Sequence, residues 1–297
     1  MRSTSLAVTA ELAPSPDQAA LLERAGRLRG FVDAVQITEN PGLRPLGSPL
    51  VAAATLLQAG IEPVLHMNCR DRNRIALQGD LLGAAGLGIS SLLLMRSLPM
   101  RTGPAARKHA VFDIGTRELI ADARRIRDSE TPAAFGLAQS PDFFIGTTAT
   151  VFGAVDSWQP RALLRKLDAG AQWMQTQLCL DMPLLRTYMR QFVAAGLPHR
   201  AYVMVSIAPL LSVEAARRLR ANMRAGQIPD QVVRRIEQAA DAERTGIEVC
   251  GEMLLELADV PGVSGAHIIA PGDPDIVRAV VEASGLRPST RTPMARS

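Results

Sequence analysis

The chain has 297 residues, of which 47% are hydrophobic and 21% are charged, a balance typical of a globular protein with a substantial core. The formal net charge is only +4 and aromatic residues make up 4%, so stacking platforms are scarce and we exclude nucleic acid as a partner. No stretch approaches the roughly 18 apolar residues of a membrane span, and the amino-terminal apolar run is too short for a signal peptide. We therefore expect a cytoplasmic protein without a membrane partner.

Short apolar runs alternate with longer stretches of helical periodicity from end to end. The runs that predict strands are 6–12, 34–40, 63–69, 91–97, 143–149, 173–179, 202–208 and 266–271. Several of the intervening helical stretches end at a glycine or before a proline, as helices commonly do. Strands separated by helices predict a parallel sheet, and their near-continuous apolar character predicts a sheet covered on both faces.

Eight such units favour an α/β protein with a (β/α)8 TIM barrel as a single domain over residues 1–286. Residues 213–265 leave room for extra helices before the last strand. A doubly wound sheet is the alternative, but no G-x-G-x-x-G sequence follows the first strand. The polar segment 287–297 predicts a flexible tail.

Polar residues collect at the carboxyl ends of the predicted strands, where parallel barrels build their active sites. These residues are Glu11, Thr38, Glu39, His66, Asn68, Ser97, Thr147, Thr148, Gln177, Ser206 and His267. They include carboxylates, imidazoles, hydroxyls and amides without metal-ligand spacing, and the three cysteines are far apart. The set predicts a site for proton transfer and hydrogen bonding, with no metal.

Glu11 and Glu39 are the two carboxylates of this set. Glu11 closes an apolar strand, where burial favours the protonated form that a general acid needs, although a helix-capping or arginine-paired carboxylate fits the spacing equally well. Glu39 precedes an Asn-Pro-Gly turn, so a structural role is stronger there. His66, with apolar residues before it, is by type more often a hydrogen-bonded core histidine than a catalyst.

Four stretches of the chain resemble the methylenetetrahydrofolate reductase family. They are ITENPG…GIEPVLHMNCRDRNRIALQGDLLGAAGLGI (37–89), LLRKLDAGAQWMQTQLCLD (163–181), VSIAPLLSVEAARRL (205–219) and GIEVCGEMLLELADVPGVSGAHIIAPGD…GLRP (246–288). The opening VTAELAPSPD is similar to the family's first strand, in which a catalytic glutamate precedes a proline. The resemblance covers nearly the whole chain.

This resemblance implies a barrel that reduces 5,10-methylenetetrahydrofolate to 5-methyltetrahydrofolate with a reduced nicotinamide. Glu11 falls on the general acid that opens the folate ring to an iminium, and Gln177 on the glutamine that binds folate and nicotinamide. Thr38 and His66 match positions near the flavin, and Arg165 and Lys166 match a basic pair near its phosphates. We expect Thr38 and Asn68 to bind substrate together with Gln177.

The sequence departs from the family where FAD would bind. Arg96-Ser97 stands where typical members end the fourth strand with Gly-Asp, the fifth strand lacks the family's tyrosine and histidine, and residues 98–142 contain no Gly-rich phosphate loop. These departures predict direct hydride transfer from NADH or NADPH without flavin. Glu39 then becomes a second catalytic carboxylate, and Arg96 and Ser97 join His66, Arg165 and Lys166 as nicotinamide-binding candidates.

Three alternatives stay open at this stage. The first is a conventional FAD-dependent reductase, the second is the reverse reaction in a demethylation pathway, and the third is a non-catalytic folate-binding subunit. The expected setting is one-carbon metabolism and methionine biosynthesis. The expected assembly is a monomer or a small homo-oligomer.

Overall fold

A computed structural model describes residues 6–39, 46–97, 110–153, 158, 160–222, 228–270 and 272–286. The predicted flexible tail, 287–297, lies outside these residues. No helix within the described ranges is long and apolar enough to cross a membrane.

The strands form a closed parallel barrel in which each strand pairs with its neighbours in chain order, and β1 pairs with β8. The strands are β1 (Ala7–Leu12), β2 (Ala34–Ile37), β3 (Pro63–Asn68), β4 (Ser91–Met95), β5 (Phe144–Ala149), β6 (Trp173–Thr176), β7 (Tyr202–Ile207) and β8 (Gly265–Ile268). All eight predicted strands are therefore present, and the TIM-barrel prediction is confirmed. Several are shorter at their carboxyl ends than the apolar runs that predicted them.

The described residues form ten α-helices around this barrel. They are α1 (Gln18–Gly26), α2 (Pro49–Gln58), α3 (Arg74–Gly86), α4 (Thr116–Arg127), α5 (Arg161–Ala169), α6 (Met182–Ala194), α7 (Val213–Asn222), α8 (Asp230–Glu237), α9 (Ala242–Leu257) and α10 (Pro274–Ser284). Three of them, α7 to α9, lie between β7 and β8, which confirms the extra helices predicted before the last strand.

Short polar side chains mark where many helices begin. Asp17, Ser48, Asn73, Asp181 and Asp241 each precede a helix and accept a hydrogen bond from a backbone N–H of its first turn. Such a cap satisfies a donor that has no partner within the helix and stabilises it by about 1 kcal/mol. The helix starts are therefore encoded locally.

Successive side chains along each strand point alternately outward and inward, and this produces two separate apolar clusters. The outward-facing residues of the strands, such as Ala10 and Ile37, pack against the helices in one large core. The inward-facing residues Val64, Leu93 and Trp173 form a second cluster inside the barrel. Inward-facing positions at the carboxyl ends of the strands carry polar residues instead, and these build the candidate site.

Candidate active site

Glu11 and His267 face each other across the closure of the barrel. Glu11 lies on β1 and its side chain is 16% exposed, whereas His267 on β8 is 1% exposed. The distance from His267 Nε2 to Glu11 Oε2 is 3.7 Å. A partly exposed carboxyl beside a buried imidazole is an arrangement suited to moving a proton to or from a ligand at the barrel mouth.

A layer of polar side chains that includes His267 crosses the barrel interior. Gln36 Nε2 donates to Thr9 Oγ1 at 2.9 Å and to Gln175 Oε1 at 2.7 Å, and Thr9 Oγ1 lies 3.0 Å from His267 Nδ1. All four residues are buried. Because buried polar groups are costly without partners, this mutual satisfaction fixes their side-chain positions.

His66 belongs to this interior layer and does not open to solvent. Its Nε2 lies 2.8 Å from Gln36 Oε1. Burial, with a smaller contribution from His267, lowers the pKa of His66 to about 3, so the ring is neutral at physiological pH. The structure therefore places His66 as a hydrogen-bonding partner of Gln36, and its predicted contact with a cofactor stays a prediction.

Glu39 follows β2 and is bound by the neighbouring strand end. Its carboxylate accepts the backbone N–H of Asn68 and pairs with Arg72, and its side chain is 5% exposed. Burial raises the pKa of Glu39 to about 7, and Arg72 and the Asn68 N–H oppose this effect only in part. Glu39 thus has a proton available near neutrality, but in this structure its contacts are to protein.

The three predicted substrate-binding residues have different surroundings. Thr38 is buried and its hydroxyl has no hydrogen-bond partner among the described residues. Asn68 is also buried, and its Oδ1 accepts the backbone N–H of Arg70 at 2.9 Å. Gln177 is exposed just after β6, and its backbone N–H donates to Ala149. Thr38 and Gln177 are therefore side chains whose polar groups have no hydrogen-bond partner among the described residues.

Arg96 and Ser97, at the exit of β4, are engaged with protein groups. The Arg96 guanidinium lies 5.1 Å from the centre of the Phe112 ring, and Ser97 Oγ accepts a hydrogen bond from Arg70 Nη1 at 3.2 Å. Ser97 has φ of 61°, a left-handed conformation that is uncommon for residues other than glycine. The chain therefore turns sharply at the position where the family's aspartate would stand.

The two basic residues on α5, Arg165 and Lys166, differ in whether they have a protein partner. Lys166 Nζ donates to the Thr148 carbonyl at 2.7 Å, and burial lowers the pKa of Lys166. Arg165 is exposed and forms no ion pair with another described residue. Arg165 is thus the member of the pair that is available to a phosphate.

The flavin that the family resemblance implies can be compared with these positions. The Ser97 hydroxyl and the Lys166 ammonium, which would meet FAD, already bind protein partners, and Arg96 packs on Phe112. In this structure these three side chains therefore have protein contacts, whereas Arg165 of the same set is exposed. Residues 98–109 and 154–157, where further departures were noted in the sequence, lie outside the described part of the chain.

The sequence did not single out Thr9, Gln36, Gln175 and His267 as functional candidates, apart from including His267 among the strand ends. A signal was present for two of them, because Thr9 shares a strand face with Glu11, and Gln175 with Gln177. The hydrogen bonds that join these four residues across different strands can be recognised only in the closed barrel.

Two further features bear on the location of chemistry. A cavity of about 380 Å³ opens at the amino-terminal end of the barrel, lined by strand starts such as Ala34, Ser91 and Phe144. In TIM-barrel enzymes that end serves stability, and catalysis occurs at the opposite end.

Within the described ranges, no group of three or more histidine, cysteine, aspartate or glutamate side chains could hold a metal ion.

The fold and this site define a parallel (β/α)8 barrel with an acid–imidazole pair at the end where such barrels carry catalysis. The family model described as methylenetetrahydrofolate reductase matches residues 4–285. The chain belongs to the methylenetetrahydrofolate reductase family, as its sequence motifs suggested.

Comparison with known proteins gives three further similarities. The chain is 25% identical over 281 residues to a probable methylenetetrahydrofolate reductase (NADPH) of Caenorhabditis elegans, covering 89% of this chain and 40% of that protein. It is 30% identical over 141 residues to probable cinnamyl alcohol dehydrogenase 8B of Oryza sativa subsp. japonica, covering 46% of this chain and 29% of that protein. The chain thus spans well under half the length of both curated relatives.

A solved structure shares the fold at low sequence identity. It is an uncharacterized protein from Clostridium thermocellum that binds two copies of 5-methyl-5,6,7,8-tetrahydrofolic acid. The TM-score is 0.61 at 10% identity, with 94% of each chain covered. At this identity the similarity establishes the barrel fold alone.

Proposed function

We propose that this protein reduces 5,10-methylenetetrahydrofolate to 5-methyltetrahydrofolate by direct hydride transfer from NADH or NADPH. The observation that carries the proposal is the Glu11 carboxyl at the carboxyl end of β1, partly exposed and backed by His267. Family membership supports the reaction class, and the folate bound by the Clostridium thermocellum neighbour supports the ligand class.

Glu11 supplies the proton in this scheme. It protonates N10 of the folate, the bond between N10 and the methylene carbon breaks, and the electron pair on N5 forms an iminium to that carbon. The negative charge left on Glu11 lies next to the His267 imidazole. General acid catalysis of this kind contributes about 10²- to 10⁴-fold to a rate.

The nicotinamide supplies the electrons. Hydride leaves C4 of the dihydronicotinamide and forms the new C–H bond at the iminium carbon, which yields the N5-methyl group and oxidised nicotinamide. One proton and one hydride are consumed, so the reaction balances without a further redox group. Holding the two reactants in contact is the protein's main contribution to this step.

The remaining residues have binding roles. We assign the unpartnered Thr38 hydroxyl and the exposed Gln177 amide to binding of the folate and nicotinamide rings. We assign Asn68 to the same substrate-binding site. Arg165 is assigned to a phosphate of the dinucleotide. Glu39, whose pKa is raised to about 7 by burial, is a second proton site beside the folate position. We also propose a cytoplasmic role in one-carbon metabolism.

The deciding experiment combines an absorption spectrum with isotope transfer. The purified protein is examined for flavin absorbance and then assayed with methylenetetrahydrofolate and nicotinamide deuterated at the transferring C4 position. Direct transfer predicts a colourless protein and a methyl group that keeps the deuterium. A flavin route predicts a yellow protein and loss of deuterium, because the hydrogen on a reduced flavin nitrogen exchanges with water.

A reverse assay with 5-methyltetrahydrofolate and oxidised nicotinamide, and a folate-binding titration, test the remaining alternatives. No turnover in either direction, with folate still bound, would indicate a folate-binding subunit. Because an enzyme catalyses both directions of its reaction, saturation by 5-methyltetrahydrofolate and oxidised nicotinamide at much lower concentrations than by the forward substrates would indicate a role in demethylation.

A further inference from the structure

The buried nitrogen of His267 that faces Glu11 lacks a hydrogen-bond partner among the described residues. His267 Nε2 is completely buried, and the 3.7 Å to Glu11 Oε2 is slightly beyond hydrogen-bonding distance. The other ring nitrogen, Nδ1, lies 3.0 Å from Thr9 Oγ1. A buried imidazole with one engaged and one unengaged nitrogen, the latter aimed at a carboxyl, requires an explanation.

The hydrogen-bond chain behind His267 has a defined direction. Gln36 Nε2 has two hydrogens and three acceptors in reach, namely Gln175 Oε1 at 2.7 Å, Thr9 Oγ1 at 2.9 Å and the Met204 sulfur at 3.4 Å. The two oxygens are nearer and are stronger acceptors than a thioether, so they receive the two hydrogens. Gln36 Oε1 faces His66 Nε2 at 2.8 Å and serves as the acceptor there. The Thr9 oxygen therefore accepts from Gln36, and its own hydrogen remains to be donated.

Two acceptors compete for the Thr9 hydroxyl hydrogen. One is the Met204 sulfur at 3.3 Å, and the other is His267 Nδ1 at 3.0 Å. A thioether is a weak acceptor and an imidazole nitrogen a strong one, so the hydrogen goes to Nδ1. An accepting Nδ1 places the ring hydrogen of His267 on Nε2, the nitrogen that faces Glu11.

We propose that the chain from Gln175 through Gln36 and Thr9 fixes His267 as its Nε2–H tautomer, and that this N–H positions and stabilises the Glu11 carboxylate formed when Glu11 gives its proton to the substrate. This inference rests on the proposed function of Glu11. His267 is a positioning residue, since it acts through Glu11 and touches no reacting atom. A small rotation of the partly exposed Glu11 side chain closes the remaining distance once the carboxylate carries charge.

The first test measures the tautomer directly. Nitrogen-15 NMR of the histidine-labelled full chain reports which ring nitrogen carries hydrogen, and the sequence contains only four histidines, so substitution at 267 assigns the signal. We expect a protonated Nε2 and an unprotonated Nδ1 at His267. Protonation of Nδ1, alone or with Nε2, would overturn the proposal, whether or not the protein is an active reductase.

Substitution of Thr9 tests the source of the tautomer. Thr9→Val keeps the shape but removes the hydroxyl, so we expect the Nε2–H signal to give way to a tautomer mixture. Thr9→Ser retains the hydroxyl and restores the single tautomer. An unchanged spectrum in Thr9→Val would show that the chain does not set the tautomer.

The contact with Glu11 is tested in the same spectra and in kinetics. Glu11→Gln removes the carboxylate, and we expect the His267 Nε2–H resonance to move; an unmoved resonance contradicts the contact.

His267→Asn places its amide near the Nδ1 position and cannot reach Glu11, whereas His267→Gln reaches the Nε2 position. We expect His267→Asn to lower kcat about 10- to 100-fold with little change in the KM for the dinucleotide, and His267→Gln to recover most of it.

The failures of the two proposals are distinguishable. If the wild-type protein has no reductase activity, the proposed function is wrong. The tautomer of His267 and the change of its resonance in Glu11→Gln still test the contact between His267 and Glu11. If the wild-type protein is active and His267→Asn folds and keeps the full kcat, only the proposed positioning role of His267 is wrong. If His267→Asn does not fold, Thr9→Val against Thr9→Ser supplies the kinetic comparison.

Discussion

Trp173 on β6 lies across Gly146 on β5, so closely that a Cβ at position 146 would overlap the indole ring. The indole Nε1–H donates to the Phe144 carbonyl at 3.2 Å, which holds the ring inside the barrel. Trp173 forms the inner apolar cluster with Val64 and Leu93. The absence of a side chain at 146 is therefore what admits the largest residue of the barrel interior.

Gly146→Ala is expected to lower the free energy of unfolding by about 1–3 kcal/mol, because the added methyl group forces Trp173 from its place. Urea unfolding measures the change. Gly79→Ala is the matched control, since Gly79 lies in α3 with open space around it and alanine there favours the helix by about 1 kcal/mol. Equal effects of the two substitutions would contradict the packing argument.

Glu39 predicts a pH dependence of stability. Burial raises its pKa from 4.5 to about 7, so the folded protein holds this proton more tightly than the unfolded chain. Its stabilising contribution is complete below about pH 4.5 and is lost as the pH rises through about 7, a total of about 3 kcal/mol. Between those values wild-type stability is expected to fall more steeply with pH than that of Glu39→Gln.

Urea unfolding of both proteins at intervals from pH 4.5 to 8 measures the difference in slope. Glu23→Gln, an equivalent change at an exposed position of α1, is the control and should follow the wild type. Parallel curves for wild type and Glu39→Gln would show that Glu39 keeps an ordinary pKa.

The adjacent residues Arg165 and Lys166 are expected to behave differently. Arg165→Gln should raise the KM for the dinucleotide about fivefold, because it removes an exposed cation assigned to phosphate. Lys166→Met should leave that KM unchanged and cost about 1 kcal/mol of stability, because it deletes the hydrogen bond to the Thr148 carbonyl. Steady-state kinetics and urea unfolding of the two variants give the comparison, and the reverse pattern would reassign the phosphate to Lys166.

Glu11→Gln is expected to lower kcat by about 10²- to 10⁴-fold, because the amide cannot deliver a proton to the folate. Binding of the dinucleotide should change little, because the acid acts on the other substrate. Stopped-flow turnover and a direct binding titration separate these quantities, again with Glu23→Gln as the control. Near-normal turnover would mean that another group is the acid.

The positions of the strands and of Glu11 were predictable because they depend on local patterns. Apolar runs such as 6–12, 34–40 and 63–69 must be buried wherever they lie, and helices that begin after Asp17 and Ser48 separate them. Eight alternating units of this kind leave few topologies other than a closed barrel. A residue that closes a strand in that fold lies at the catalytic end.

The surroundings of Glu39, His66 and Lys166 could not be predicted in the same way. Each is at or near a strand or helix end where a ligand contact is plausible, yet each binds a protein partner from a neighbouring element, namely Arg72, Gln36 and Thr148. Residue type and spacing do not reveal whether a neighbour already satisfies a polar group.

The sequence by itself determined the number and order of strands, the helices between them and the end of the barrel at which Glu11 lies, since each follows from periodicity and capping within a short segment. Only the tertiary structure decided that Thr9 and His267, 258 positions apart, would share a hydrogen bond beside Glu11. The physical reason is closure of the barrel, because the pairing of β1 with β8 sets the register in which the first and last strands meet.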